Sequence, residues 1–228
     1  MTDSEDTLAT FLVTGANRGI GLEFCRQLHA RHDDVIAVCR QSSPELEAIG
    51  VEIHSDIELT SGTSIAGFVR NLSNRQLDGV ILNAGILQSM GLEDLDSDGI
   101  KRQFEVNALA PLLLAHSLIG QMPHGAKLAL MTSRMGSIDD NTSGGSYGYR
   151  MSKVALNMVG RSLSIDLKPK GIAVAILHPG LVSTRMINFN PKGISTKTAV
   201  LGLLARIDGL DLETSGTFWH ANGQKLPW

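Results

Sequence analysis

The chain has 228 residues, 43% of them apolar, enough to bury one substantial core and to make a single domain spanning 1–228 the expectation. A net charge of −3, with Lys and Arg scattered along the chain, argues against wrapping a nucleic-acid backbone. The longest apolar stretch, Leu109–Ala115, contains Pro111 and falls far short of the roughly 20 residues that cross a bilayer, so no membrane partner is expected.

Met1–Thr7 is acidic and polar, without the positive start and apolar run of a secretion signal; it reads as a flexible N-terminus on a cytoplasmic protein. Seven short β-branched or apolar runs then follow: Thr10–Val13, Val35–Cys39, Val51–His54, Gly79–Leu82, Lys127–Met131, Ile172–Leu177 and Gly216–Trp219. Between them lie longer segments rich in helix formers, among them Ile20–His29, Ser61–Asn71, Asp98–His116 and Ser146–Leu167. Ile138–Ser146 and Asn188–Ser195 are polar, Gly- or Pro-containing and read as loops. Strands alternating with helices of this length imply βαβ crossovers. The expected fold is therefore α/β: a doubly wound, mostly parallel, seven-stranded Rossmann-type sheet with helices on both faces. Ligands in such sheets sit beyond the carboxyl ends of the strands, so the chemistry should cluster just after them. Cys25 and Cys39 have neither CxxC nor metal-ligand spacing and read as reduced, buried small residues, and no metal is expected.

After the first strand comes Thr14-Gly15-Ala16-Asn17-Arg18-Gly19-Ile20-Gly21, a glycine turn that opens a helix. Glycines let a backbone bend tightly and approach a pyrophosphate, whose charge the free N–H groups and positive dipole end of the helix stabilise. The spacing is TGxxxGxG, wider at its start than the GxGxxG of other dinucleotide sites. Further on, Tyr149 and Lys153 stand four residues apart on a helical segment, so both side chains leave one face. A phenol with a pKa near ~10 is a poor proton carrier at neutral pH, and an adjacent ammonium favours the phenolate. Tyr147 is rejected as the acid because Met151, four residues on, supplies no charge.

The glycine turn, Asn83-Ala84-Gly85 after the fourth strand, Tyr149-x-x-x-Lys153 and Pro179-Gly180 after the sixth strand come in the order found in the short-chain dehydrogenase/reductase family, which the chain resembles from about Thr10 onward. Tyr149-Arg150-Met151-Ser152-Lys153 and the ending Gly223–Trp228 look like the C-factor and sniffer-type carbonyl reductases within it. The resemblance implies hydride transfer between a nicotinamide and a carbonyl or alcohol. In it Tyr149 is the acid/base, Lys153 tunes the tyrosine and holds the nicotinamide ribose, and a serine after the fifth strand polarises the substrate oxygen. Ser133 matches that serine, with Ser137 as the fallback, because the sixteen-residue separation of Ser133 from Tyr149 exceeds the common family spacing. Asn107 matches an asparagine that disturbs its helix and anchors a lysine-bound water, and Pro111 agrees with a kink there. The cofactor residues implied are Gly15, Asn17, Arg18, Gly19, Ile20 and Gly21, with Asp56 and Ile57 at the adenine. Asn83, Ala84 and Gly85 would pass near the ribose, and Pro179, Gly180, Val182 and Thr184 would line the nicotinamide.

Enzymes preferring NAD place an acid at the end of the second strand; here stand Cys39 and then Arg40, and Arg18 lies in the glycine turn. Two guanidinium groups suit a 2′-phosphate, so NADP(H) is the preferred cofactor and NAD(H) the second candidate. Asp33 and Asp34 precede the second strand and should face the other end of the sheet. His178 reads as structural. A small-molecule carbonyl or alcohol is the expected partner, with a homodimer or homotetramer through Asp98–His116 and Ser146–Leu167. A non-catalytic NADP-binding signalling or redox-sensing protein of C-factor type is the alternative. A sugar-nucleotide epimerase would need more than the 44 residues that follow Thr184.

Overall fold

The computed structural model describes residues 8–73 and 75–228; the expected flexible segment 1–7 lies outside them. Seven strands form one sheet: β1 (Thr10–Thr14), β2 (Asp34–Val38), β3 (Glu52–His54), β4 (Gly79–Leu82), β5 (Lys127–Met131), β6 (Ala173–His178) and β7 (Phe218–His220). Their order is β3-β2-β1-β4-β5-β6-β7 and every pairing is parallel. The chain winds outward from β1 in one direction and then from β4 in the other. The β1–β4 seam, with Leu12 opposite Val80, is therefore the point where strand order reverses and a ligand crevice opens.

The strand runs are apolar on both faces because helices cover both. One core cluster joins Phe11, Val13, Val35, Ala37 and Ala175 to α1 (Gly19–Ala30) and α7 (Thr196–Asp208). The other joins Leu12, Ile36, Val80, Leu128 and Val174 to α3 (Gly62–Asn71), α5 (Ala110–Leu118) and α6 (Tyr147–Asp166). Phe11 and Val13 on one side and Leu12 on the other show the two-residue alternation of a strand directly.

Three expectations change. The segment read as one helix over Asp98–His116 is α4 (Ser97–Phe104), a π-helical turn at Glu105–Leu109, and α5. Pro111 has no N–H to give, so the regular ladder cannot run through it, and the Ala110 N–H reaches back to the Glu105 carbonyl. The short α2 (Pro44–Glu47) and the whole of α7 were not read in the sequence, although Ser43 and Ser195 cap them as Ser-Pro and Ser-x-x-Thr starts. Finally, β7 begins two residues later than expected, because Gly216 is taken by a left-handed turn at φ 77°.

Candidate active site

Thr14 ends β1 and joins it to β4: its hydroxyl accepts the N–H groups of Asn83 (3.0 Å) and Ala84 (3.1 Å), and Asn83 Nδ2 donates to the Thr14 carbonyl at 3.0 Å. The glycine turn is wound directly on this join. A Cβ on Gly21 would lie 2.1 Å from the Gly15 carbonyl oxygen and 2.7 Å from Asn83 Nδ2, so only glycine lets the helix start this close to its own strand. Side chains cap α2, α3, α4 and α7 (Ser43, Ser61, Asp96 and Ser195), whereas at α1 the cap residue Arg18 makes no side-chain bond among the described residues. The first N–H groups of α1, at Gly19, Ile20 and Gly21, are left for an external acceptor at the positive end of the dipole. This cradle fits a pyrophosphate.

At the end of β2, Cys39 is buried and Arg40 is exposed, its guanidinium 3.8 Å from the Glu58 carboxylate. Arg18 is exposed as well. The loop that follows is tied to the glycine turn, since Ser43 Oγ donates to the Asn17 carbonyl at 2.9 Å. Next to it the Ser42 hydroxyl is buried with no partner among the described residues. Asp56, at φ 60°, donates its N–H to the Arg40 carbonyl, and Ile57 donates to that of Cys39. Both therefore fold back against the end of β2, where burial and the Asp56 charge push the Cys39 thiol pKa up. Asp34 is paired with Arg75 at the opposite end of the sheet, as expected.

The structure brings Ser133, Tyr149 and Lys153 together. Ser133 follows β5 and starts a short turn at Arg134–Gly136; its hydroxyl accepts the Met135 N–H at 3.1 Å and lies near enough to the Tyr149 phenol to favour its ionised form. Ser137, the fallback, is committed elsewhere: it donates to the Trp228 carbonyl at 2.9 Å and accepts the Asp140 N–H at 3.1 Å. Lys153, one turn beyond Tyr149 in α6, places Nζ 5.6 Å from the tyrosine ring centre and donates to the Met131 carbonyl at 2.9 Å. Burial pushes the Tyr149 phenol up to about 12, opposed by the nearby Ser133 hydroxyl, and pushes the Lys153 ammonium down to about 8. The expectation of a tyrosine lowered by its lysine is thus not met in the protein by itself. Removal from water outweighs an ammonium that stands off the ring and is itself desolvated.

Asn107 sits buried in the π-turn. Its Oδ1 accepts the Ile86 N–H at 2.8 Å, and its Nδ2 donates to the Ile86 carbonyl at 2.9 Å and to Ser152 Oγ at 3.0 Å. Ser152 in turn donates to the Tyr149 carbonyl at 2.8 Å. The amide side chain braces the segment after β4 against the Tyr149 helix. Gly85 lies between the two halves: a Cβ there would be 3.2 Å from Asn107 Oδ1 and 3.6 Å from Lys153 Nζ. Thr14, Ile86, Met131 and Ser152 take part in this network without having been singled out. Thr14 stood in the glycine motif and Ser152 in the Tyr149–Lys153 motif, but nothing local marked Ile86 or Met131, which act through backbone atoms.

Pro179 and Gly180 follow β6, Val182 is buried and bridges to Ile194, and Thr184 reaches over the glycine turn, 3.6 Å from where a Gly19 Cβ would be. His178 stacks edge-on against His220 at 5.0 Å, and burial pushes its imidazole down to about 3. A neutral, packed histidine agrees with a structural reading. Among the described residues no three His, Cys, Asp or Glu side chains cluster as metal ligands, and no helix is long and apolar enough to cross a membrane.

Residues 9–194 match the family model described as short chain dehydrogenase. The chain is 41% identical over 226 residues to 1-hydroxy-2-glutathionyl-2-methyl-3-butene dehydrogenase of Rhodococcus sp. strain AD45, covering 97% of this chain and all of the relative. It is 42% identical over 164 residues to C-signal of Myxococcus xanthus, covering 71% of this chain and 98% of that one. Among solved structures, NADPH-bound carbonyl reductase from chicken fatty liver superimposes with a TM-score of 0.87 at 29% identity, covering 97% of this chain and 99% of that one.

Proposed function

The chain belongs to the short chain dehydrogenase family, and from that premise we propose that it is an NADP(H)-dependent oxidoreductase reducing a carbonyl, or oxidising the matching secondary alcohol, with Tyr149 as acid/base. The observation that carries this reading is the Ser133–Tyr149–Lys153 cluster at the carboxyl ends of the central strands, beside an uncapped helix start and its glycine turn. When bound, the nicotinamide supplies or accepts the hydride. Gly19, Ile20 and Gly21 hold the pyrophosphate with their N–H groups, with Gly15 and Asn17 shaping the turn. Arg18 and Arg40 grip the 2′-phosphate, and Asp56 and Ile57 line the adenine. Asn83, Ala84 and Gly85 pass the ribose, while Pro179, Gly180, Val182 and Thr184 flank the nicotinamide. The NADPH named in the chicken structure supports NADP(H) over NAD(H).

Ser133 donates a hydrogen bond to the substrate carbonyl oxygen and Tyr149 gives that oxygen its proton. At about 12 the phenol holds its proton at physiological pH but is a weak acid, so donation in the reductive direction relies on stabilisation of the phenolate it leaves. Lys153 holds the ribose and stabilises the phenolate left behind, and Asn107 braces the Tyr149 helix. The loop after Thr184, with Met186, Ile187 and Phe189, selects the substrate. Chain 1–228 acts as one domain, in the cytoplasm. The exposed Phe104, Leu109 and Leu113, with Met151, Met158 and Ile165 on α6, favour a homodimer or homotetramer.

The test is NADPH consumption against a panel of aldehydes, ketones and quinones, and NADP reduction with alcohols including a hydroxylated glutathione conjugate of the kind in the Rhodococcus relative's name. Turnover by the native chain that falls at least a hundredfold in Tyr149→Phe, with NADPH binding retained, is the expected result. An active Tyr149→Phe would refute the assignment. A second reading, an NADP-binding signalling or sensing protein, draws on the identity to C-signal; NADPH binding without turnover of anything in the panel would favour it.

A further inference from the structure

The residue after the proposed acid carries an arrangement that the chemistry above leaves unused. Arg150 is half-buried in the first turn of α6, and its guanidinium reaches four acceptors, none of them a carboxylate. Nε donates to the carbonyls of Gly145 (3.1 Å) and Gly144 (3.3 Å), Nη1 to the Met135 carbonyl (3.4 Å) and Nη2 to Ser143 Oγ (2.9 Å). Met135 is the same residue whose N–H is accepted by the Ser133 hydroxyl. A continuous chain therefore runs from Ser133 through the peptide groups of Met135 to Arg150, next to Tyr149.

At its Tyr149 end the loop between these two groups is held otherwise by the Gly144 N–H on Asn141 Oδ1 (3.1 Å) and by Ser146, whose hydroxyl lies 3.3 Å from that of Ser89. Gly144, Gly145 and Ser146 are all left-handed, at φ 61°, 64° and 48°, and together turn the Gly144 and Gly145 carbonyls onto one Nε–H. Ser146, the residue at the start of α6, makes no side-chain cap to the helix. The far end of the loop is tied separately: Asp139 N–H and Ser137 Oγ both donate to the Trp228 carbonyl, and Arg134 pairs with Asp140. The Ser146 N–H bonds the Met90 carbonyl. Asn157 of the same helix also holds the Ser133 turn, Nδ2 donating to the Gly136 carbonyl at 2.9 Å, but among the described residues only the Arg150 side chain bonds both that turn and the glycine-rich loop.

We propose that Arg150 is a positioning residue that sets the Ser133–Tyr149 geometry, by fastening the 134–136 turn and the 143–145 loop to the first turn of α6. The proposal rests on the reductase reading for its kinetic consequence, though not for its structural one. A planar fork with five donors serves three separate attachment points at once; a lysine ammonium has neither the reach nor the directions, so Arg150→Lys only partly replaces it.

The experiment compares the native chain with Arg150→Met, Arg150→Lys and Arg150→Ala. Amide hydrogen exchange reads the structural consequence: faster exchange is expected across residues 134–147 in Arg150→Met, with the rest of the protein and the NADPH dissociation constant unchanged within about twofold. With whichever panel aldehyde or quinone the native chain reduces, kcat should fall at least tenfold at nearly constant KM for NADPH. Arg150→Lys should fall between the two, and added guanidinium ion should restore part of the Arg150→Ala rate. Unchanged exchange in 134–147, or a kcat within twofold of native, overturns the proposal. If Arg150→Met does not fold, Arg150→Lys carries both measurements with the same criteria. If the native chain reduces nothing in the panel, the reductase reading falls and hydrogen exchange alone decides on Arg150.

Discussion

The closeness of the glycine turn to its own strand makes Gly21→Ala the most direct test of how the nucleotide cradle is built. The added methyl would sit 2.1 Å from the Gly15 carbonyl oxygen and 2.7 Å from Asn83 Nδ2. Carbon and oxygen ordinarily meet at about 3.3 Å, so the helix start must retreat by roughly 1 Å from the Thr14–Asn83 join. Over-packing of this kind costs about 1–3 kcal/mol, partly offset by up to about 1 kcal/mol of helix propensity gained. A net loss of about 2 kcal/mol corresponds to a Tm lower by roughly 4–8 °C in a chain of this size. NADPH affinity should fall at least tenfold, about 1.4 kcal/mol, because the N–H groups of the first turn no longer converge. The control is Gly67→Ala inside α3, where a methyl has nothing within 4 Å: it should gain about 0.5–1 kcal/mol and leave NADPH binding alone. Thermal unfolding and NADPH fluorescence titration on both variants read the two effects. A Gly21→Ala protein with native Tm and native affinity would refute the reasoning.

Arg40→Asp tests the cofactor preference: its exposed side chain makes only a 3.8 Å approach to Glu58, so stability should move by less than about 0.5 kcal/mol. NADPH binding should weaken at least tenfold while NADH binding holds or improves, and an unchanged preference in titration removes Arg40 from the site. Lys153 is lowered from 10.5 to about 8, so its burial penalty is fully present below pH 8 and is relieved as pH rises toward 10.5, where the unfolded chain still binds the proton. The stability of the native chain relative to Lys153→Met should therefore rise by about 2 kcal/mol between pH 7 and pH 9.5, measured by urea unfolding; a flat difference contradicts the burial. His178 is lowered from 6.5 to about 3, so its neutral form contributes stability that is present above pH 6.5 and lost as pH falls. About 2 kcal/mol should be gone at pH 5, and His178→Asn should flatten that acid limb; a parallel limb in the variant would place the loss elsewhere.

Much of this protein was legible because its signals are local. The two-residue alternation of β1, the glycines of the turn and the four-residue step from Tyr149 to Lys153 each follow from neighbours in the chain, and the structure places them where they were read. Helix boundaries were read less well where a single residue changed the hydrogen-bond ladder. Pro111 pointed to a kink, but the π-turn that carries Asn107 depends on how the Ala110 N–H finds a partner.

The amino-acid sequence by itself determined the seven-stranded winding, the glycine turn and the Tyr149–Lys153 step, since periodicity and motif spacing are properties of a short stretch of chain; the hydride chemistry expected of them came from the family resemblance. Tertiary structure alone decided that Ser133 meets Tyr149 while Ser137 is spent on Trp228, and that Asn107 braces Ile86 and Ser152. It also decided that burial, rather than Lys153, sets the phenol, and that Arg150 joins three segments. Each of these turns on which groups from distant parts of the chain come within about 3 Å of each other and on how much water is removed around them, and neither quantity is a property of any local stretch.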